Sequence, residues 1–442
     1  MTLTPNSYRP RLIEERLNKL LRASGAVHIK GPKWCGKTWV ALNVSNSSFM
    51  IGDSNNYGQS NRELAETNIR IVLEGEKPRL IDEWQDVPRT WDAVRSEIDR
   101  NALKGQYLLT GSSTPKRNRP VHSGTGRISP LQMRTMSLYE MGESDGCVSL
   151  ADILDGKDIG LHQNPIDLDR ISELVYRGGW PGNLGLSYED CRVAIDAYVE
   201  QILEDASTLD DTKRNKEGLR LVLKSLARNE CTLASVSKIH ADTDVPLGVD
   251  SKLILTGEYK TGKGAVSYDT VYDYLDVFDR LYLINNQPAF DPNLKSSVRV
   301  GKTPKRHLAD PSIALSLLRA SPERTVNDLE SFGYYFESMC ERDLDIYAES
   351  MGAHLYHYRD GNGTEVDAIV ELPDGRWGAF EIKLGANKIE KAAEDLLKFK
   401  AKMERNDAGS MPCCLCIICG LTEYSYRRED GIYVVPITSL RP

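Results

Sequence analysis

The eight residues Gly31-Pro32-Lys33-Trp34-Cys35-Gly36-Lys37-Thr38 constrain this chain more than any other feature, because they fit G-x-x-x-x-G-K-[ST]. The pattern carries meaning only between a strand and a helix. Both are expected here: the apolar run Ala26 to Ile29 precedes the loop, and a helix is predicted from about Lys37. In such a loop the backbone N–H groups and the helix N-terminus face an anion and stabilise its charge. Glycine at 31 and 36 allows turns and close approach that a Cβ would obstruct. Lys37 brings a point charge to β- and γ-phosphates, and the Thr38 hydroxyl is a ligand for Mg²⁺. All eight residues are therefore candidates for binding a nucleoside triphosphate.

Three further apolar runs alternate with helical stretches: Phe49 to Gly52, Pro78 to Ile81 and Gln106 to Leu109. Alternation of this kind predicts an α/β layer with a parallel sheet. The third run ends in Asp82-Glu83, where Asp82 is a candidate for holding Mg²⁺ and Glu83 for orienting or deprotonating the attacking water. A solvated acidic turn is the bland alternative. The fourth run ends in Thr110-Gly111-Ser112, polar residues placed to sense a γ-phosphate or simply to make a turn. Arg127, Arg134 and Arg177 are candidates for adding positive charge to the transition state, in cis or from a neighbouring subunit. Of these, Arg127 is taken as catalytic beside Glu83 and Lys37.

At 442 residues the chain should divide into two to four domains of roughly 100–200 residues. The net charge of −8 offers no global attraction to nucleic acid or anionic membranes. No apolar run approaches the ~20 residues of a membrane span. The charged start, MTLTPNSYRPRLIEERL, does not suit a signal peptide, so a cytoplasmic location is expected. Nine cysteines imply no disulfide framework. Cys416 and Cys419 have C-x-x-C spacing, but Pro412-Cys-Cys-Leu-Cys-Ile-Ile-Cys419 reads better as an apolar strand than as a zinc site. Cys35, at the head of a helix, is a candidate oxidation-sensitive thiol.

Towards the C-terminal end a long helix (Asn327 to Ser350) precedes strands predicted at 354–358, 365–371 and 376–383, a helix at 388–405 and a strand at 413–418. Glu365-Val-Asp367 begins one strand and Glu381-Ile-Lys383 ends the next, joined by a turn at Pro373-Asp374-Gly375. Alternation puts Glu381 and Lys383 on one face, and the hairpin brings Asp367 near them. Two carboxylates and a lysine suit a hard-metal site for phosphodiester hydrolysis, with Glu337 of the preceding helix as a third acid. A salt-bridged sheet edge is the alternative.

Tyr8-Arg-Pro-Arg11, GPKWCGKT, LIDEWQDVP, YLLTGSS, RGGWPG and the EVD…EIK pair occur in this order. The combination resembles the prokaryotic AAA-type ATPases that carry a C-terminal DUF4143 domain. The resemblance implies ATP and Mg²⁺ as cofactors. It implies an AAA-like core over 1–165, a helical lid or linker over 166–215, a winged-helix-like domain over 216–325 and a PD-(D/E)XK nuclease-like domain over 326–442. By the same resemblance Lys37 and Thr38 bind phosphate and Mg²⁺, Asp82 holds Mg²⁺ and Glu83 serves hydrolysis. Glu337, Asp367, Glu381 and Lys383 then match a nuclease-like site. The function implied is an ATP-hydrolysing switch acting through its C-terminal domains, with an ATP-regulated nuclease or a non-catalytic nucleotide-binding scaffold as alternatives. The partner, protein or nucleic acid, is unspecified, and a homo-oligomer would let an arginine act in trans. The helix 267–280, the candidate recognition helix, carries Asp269, Asp273, Asp276 and Asp279, and the first three share a face that DNA phosphates would repel.

Overall fold

The protein is described by a computed structural model covering residues 8–53, 60–114, 123–243, 266–293, 295–322, 327–405 and 410–442. Five parallel strands form the first sheet: β1 (Ala26–Lys30), β2 (Ser47–Met50), β3 (Arg79–Asp82), β4 (Tyr107–Gly111) and β5 (Ile128–Gln132), in the order β2-β3-β4-β1-β5. Alternation along these strands feeds two cores. Val27, Ile29, Leu80 and Leu108 pack under the helices Ile13–Ala23 and Lys37–Val44. Ala26, Ile81, Tyr107 and Leu109 pack on the other face, against the helix Arg89–Asn101. Burial on both faces is what a doubly covered parallel sheet requires. The four strands expected from the sequence are present, with ends shifted by up to two residues. β5 was not expected, because Pro130 interrupts its apolar pattern. As the sheet's edge it tolerates a residue with no N–H to donate.

Two short strands follow, β6 (Val148–Ser149) and β7 (His162–Gln163). Neither joins the first sheet. The second sheet comprises β7, β8 (His354–Arg359), β9 (Glu365–Glu371), β10 (Trp377–Gly385), β11 (Cys414–Leu421), β12 (Tyr424–Arg427) and β13 (Tyr433–Pro436), in the order β7-β12-β13-β11-β10-β9-β8. β6 pairs with β14 (Leu440–Arg441). The stretch around 148–163, grouped by sequence with residues 1–165, thus packs on the C-terminal sheet. One face of this sheet meets the helix Leu329–Ser350; the other is covered by the helix Ile389–Arg405. In β11, Cys414 and Cys416 enter the first of these cores and Cys419 the second. Cys416 and Cys419 therefore face opposite sides and share no metal; the segment is a core strand.

Between the sheets lie the helices Leu168–Arg177 and Tyr188–Thr208, split at Gly178-Gly179. There φ of +64° at Gly178 and a contact of 2.1 Å between a would-be Gly179 Cβ and the Met136 carbonyl exclude side chains. The helices Lys216–Arg228, Val236–Thr243 and Tyr268–Arg280 follow, with antiparallel bridges Ile284↔Leu308 and Gln287↔Lys305. Ser267 caps the last helix through Thr270 N–H, and Val271, Tyr274 and Phe278 are buried. No helix among the described residues is long and apolar enough to cross a membrane.

Candidate nucleotide site and C-terminal carboxylate cluster

The loop Gly31–Thr38 leaves the end of β1 and enters the helix Lys37–Val44, with Gly36 at φ +98°. A Cβ at Gly31 would stand 2.2 Å from the Met133 carbonyl oxygen, so the loop's tight start requires glycine. Arg11 braces the loop from behind: Nη1 donates to Cys35 O at 2.8 Å and Nη2 to Thr135 O at 2.9 Å, while Nε pairs with Glu140 at 2.9 Å. This role of the Tyr8–Arg11 segment had no signal beyond the resemblance. Cys35, a candidate oxidation-sensitive thiol by sequence, is fully buried and so shielded from an oxidant.

Lys37 is buried, and its ammonium donates to Gly31 O at 3.0 Å and Pro32 O at 2.9 Å. Thr38 Oγ1 and Thr110 Oγ1 both donate to Asp82 Oδ1, at 2.8 and 2.5 Å. Burial pushes Asp82 up from the ordinary carboxylate range, against those two hydroxyls. The Thr38–Asp82 pair is the oxygen donor set that would hold Mg²⁺, directly or through water. Glu83 sits at φ +54°, and its N–H donates to Thr110 Oγ1 at 3.3 Å. Its carboxylate accepts from Ser112 Oγ at 3.0 Å and from Gln85 Nε2. Thr110 and Ser112 therefore restrain the two acids rather than standing free for a γ-phosphate.

The helix Tyr188–Thr208 covers the loop. Lys33 pairs with Asp205 at 2.7 Å, and the Trp34 and Tyr198 rings lie 5.4 Å apart. Between loop and helix lies a cleft of about 520 Å³ lined by Lys33, Trp34, Lys37, Thr38, Glu83 and Pro181, among others.

Arg127 requires correction. It precedes β5 beside Ala26, at the opposite end of β1 from the loop, and pairs with Asp99 at 2.7 Å. Within this chain it reaches no nucleotide. Arg134 is committed to Asp345 and Glu349 of the helix Leu329–Ser350, and Arg177 to Glu143.

His28, on β1, accepts from Trp84 Nε1 at 3.0 Å. Burial, then Lys30 and Lys37, hold it down to about 3, against an ordinary 6.5. The unfolded chain then binds the extra proton between these values, so this stability is complete above about pH 6.5 and is lost as pH falls. About 2 kcal/mol should be gone by roughly pH 5. His357, held down to about 4 chiefly by burial, has the same sign. Urea unfolding of the wild type and His28→Asn between about pH 7 and pH 5 checks this; equal pH slopes would refute it.

In the second sheet, β9 and β10 run antiparallel with Phe380 opposite Ala368, which brings Asp367 and Glu381 together as expected. Lys383 Nζ bridges them, 2.9 Å from Asp367 Oδ2 and 2.6 Å from Glu381 Oε2. Burial first, and then Asp367, raise Glu381 far above the carboxylate range. Glu337 does not join it as a free acid. The buried Lys305 ammonium pairs with Glu337 and with Glu341, the latter at 2.7 Å, and lies 3.4 Å from Asp367 O. Lys305 was missed, although Lys305 and His307 share one face of an extended segment, and Glu337 and Glu341 one face of a helix.

The sheet order, the loop at the end of β1 and the adjoining carboxylates define a P-loop nucleoside-triphosphate domain of the AAA class. The comparisons are specific about its setting: residues 23–142 match the family model described as an AAA domain, 332–440 match DUF4143, and 168–324 match DUF8612, both domains of unknown function. Within the chain, residues 23–142 are thus similar to AAA domains and residues 332–440 to DUF4143 domains. Uncharacterized proteins of Mycobacterium tuberculosis and Mycobacterium bovis are 23% identical over 375 residues, covering 83% of this chain and 72% of theirs. A Walker-type ATPase of Pyrococcus abyssi aligns with a TM-score of 0.42 at 13% identity, over 71% of this chain and 97% of its own. The RuvB Holliday junction branch migration motor of Thermotoga maritima aligns at 0.24 and 16%, over 65% and 94%.

Proposed function

We propose that this protein is an ATP-hydrolysing switch, in which the nucleotide at Gly31–Thr38 sets how the middle and C-terminal domains are presented to a partner. The observation that carries the reading is the path leading out of the site. Ser112, which holds Glu83, lies two residues before Thr114. Thr114 N–H donates to Arg280 O at 3.0 Å, and Arg280 Nε donates back to Thr114 O at 2.9 Å. The Arg280 guanidinium is also paired with Asp210, just beyond the helix that covers the loop. In this reading Lys37 leaves the Gly31 and Pro32 carbonyls for the phosphates. Mg²⁺, held at Thr38 and Asp82, would neutralise phosphate charge. Glu83 leaves Ser112 to orient water, and the end of β4 passes that movement to Arg280.

Phosphate release from Mg·ATP by the wild type tests hydrolysis; no turnover under any condition would leave a nucleotide-binding scaffold. Hydrogen exchange tests the switch. Adding Mg·ATP should change protection at 205–215 and 268–282 in the wild type but not in Lys37→Ala, and an unchanged pattern would remove the switch.

We place any assisting arginine in trans, because Arg127, Arg134 and Arg177 are all engaged away from the loop. A nucleotide-dependent homo-oligomer is the corollary. A protein partner fits the helix Tyr268–Arg280 better than nucleic acid, since Asp269 and Asp276 are exposed there.

A nuclease is the second reading, supported by the convergence of Asp367, Glu381 and Lys383. Lys305 counters it, since its buried ammonium takes Glu337 and stands beside Asp367 where a metal's charge would act. Labelled single- and double-stranded DNA and RNA, incubated with Mg²⁺ or Mn²⁺ with and without ATP, should remain intact. Cleavage that is lost in Lys383→Ala would reverse this ranking.

A further inference from the structure

Beyond Lys305, the junction of the middle and C-terminal domains buries a second group of side chains. Cys231, His307 and Glu341 are 3%, 8% and 2% exposed. They come from three separate elements: the turn after the helix Lys216–Arg228, the extended segment that bridges Ile284 and Gln287, and the helix Leu329–Ser350. Cys231 has φ +61°, and its N–H is fixed on Arg306 O at 2.7 Å. Its Sγ lies 3.3 Å from Glu341 Oε2, His307 Nε2 lies 2.9 Å from the same oxygen, and one donor atom of each residue lies within 4.8 Å of the others.

We propose that Cys231, His307 and Glu341 bind a zinc-class divalent ion that fastens the middle domain to the C-terminal domain. Three independent features point to a ligand. First, His307 Nε2 is buried and, despite its short contact with Glu341, is not aligned for any hydrogen bond. It is placed as a co-ligand of that oxygen. Zinc bonds of about 2.0–2.3 Å at tetrahedral angles separate ligand atoms by roughly 3.3–3.8 Å; the observed contacts of 2.9 and 3.3 Å lie at or just below that span, so an ion would open the group by a few tenths of an ångström.

Second, His307 Nδ1 lies 3.2 Å from Glu230 Oε1, and Glu230 is itself fixed by Ser338 Oγ at 2.8 Å and by Leu308 N–H at 3.0 Å. A carboxylate behind the distal ring nitrogen selects the tautomer whose Nε2 lone pair faces a metal. Third, a cavity of about 180 Å³ adjoins the group, lined by His307, Glu341, Asn286 and Gln287. Asn286 Oδ1 and Gln287 Oε1 are buried there without partners. They are acceptors suited to a metal-bound water completing the tetrahedron.

The Cys231 thiolate, Glu341 and Glu230 would face the divalent ion and Lys305, which occupies the other oxygen of Glu341 at 2.7 Å and also pairs with Glu337. Thiolate and imidazole select zinc, cobalt or nickel over Mg²⁺ or Ca²⁺. The competing state is metal-free, with a doubly protonated His307 between Glu230 and Glu341 and a neutral thiol.

Chelator-stripped full-length protein titrated with CoCl₂ separates the two. One Co²⁺ per chain, with a thiolate-to-cobalt charge-transfer band displaced by ZnCl₂, is expected. The band should disappear in Cys231→Ser and survive in Cys147→Ser, whose cysteine is exposed. Glu230→Gln should keep the band while weakening affinity about 10–100-fold, which carries the test if Cys231→Ser fails to fold. No band in the wild type, a band that persists in Cys231→Ser, or unchanged affinity in Glu230→Gln would each overturn the proposal.

Discussion

Lys37→Ala should weaken Mg·ATP binding by about 100-fold, close to 3 kcal/mol at 1.5–3 kcal/mol for each charge-assisted hydrogen bond lost. Glu83→Gln should bind nucleotide as the wild type does yet lose about 10²–10⁴-fold in turnover. The split follows from placement. Lys37 is buried beneath the loop with its ammonium on the Gly31 and Pro32 carbonyls, so alanine would remove the side-chain charge that in the proposed mechanism turns to the phosphates. Loop amides and the helix terminus remain, which is why some affinity survives. Glu83 lies off the loop, held by Ser112 and Gln85, and in the proposed mechanism would act on water rather than on the phosphates. Glutamine keeps those hydrogen bonds and removes only the basic carboxylate. Titration of a fluorescent ATP analogue and measurement of phosphate release resolve the two effects. Equal affinity loss in both variants, or full turnover in Glu83→Gln, would refute these roles.

The parts of this site that were legible are those where local chemistry dictates position. A Gly-rich turn after a strand, a lysine at the helix start and acids at the next strand's end need no knowledge of the rest of the chain. The same holds for Asp367, Glu381 and Lys383, which two alternating strands and a tight turn bring together. What failed depended on long-range packing. Arg127 is close to the loop in sequence logic, but β5 runs parallel to β1 and so leaves it at the far end. Glu337 looked like a third acid because nothing local reveals Lys305, more than thirty residues upstream. β5 itself was hidden by Pro130, whereas the C-x-x-C segment is the core strand its apolar run indicates.

Asp310→Ala should be among the most destabilising single changes in this chain, by about 3–5 kcal/mol, the range for removing one partner from a buried ion pair. Asp310 is fully buried, and its two oxygens accept from four parts of the molecule. Thr135 Oγ1 donates at 3.0 Å from beyond β5, and Gly179 N–H at 2.9 Å from the break between the covering helices. Ser312 donates from its N–H at 3.1 Å and its hydroxyl at 2.6 Å, capping the helix Pro311–Leu317. Arg342 of the helix Leu329–Ser350 donates through Nη1 at 2.9 Å. Arg342 keeps Asp343, at 2.7 Å, so the loss stays below that of a wholly orphaned guanidinium. Gly179 N–H, by contrast, has no replacement acceptor from alanine and sits too close to Met136 to move. Asp310→Asn retains volume and one acceptor oxygen but turns an NH₂ toward these donors, so it should fall between alanine and wild type. Because Gly179 leads into Pro181–Asn183 at the nucleotide cleft, the alanine variant should also bind Mg·ATP more weakly, by less than Lys37→Ala does. Urea and thermal unfolding with and without nucleotide measure both effects. A loss below about 1 kcal/mol, the size of an ordinary neutral hydrogen bond, would mean that the domains are held together elsewhere.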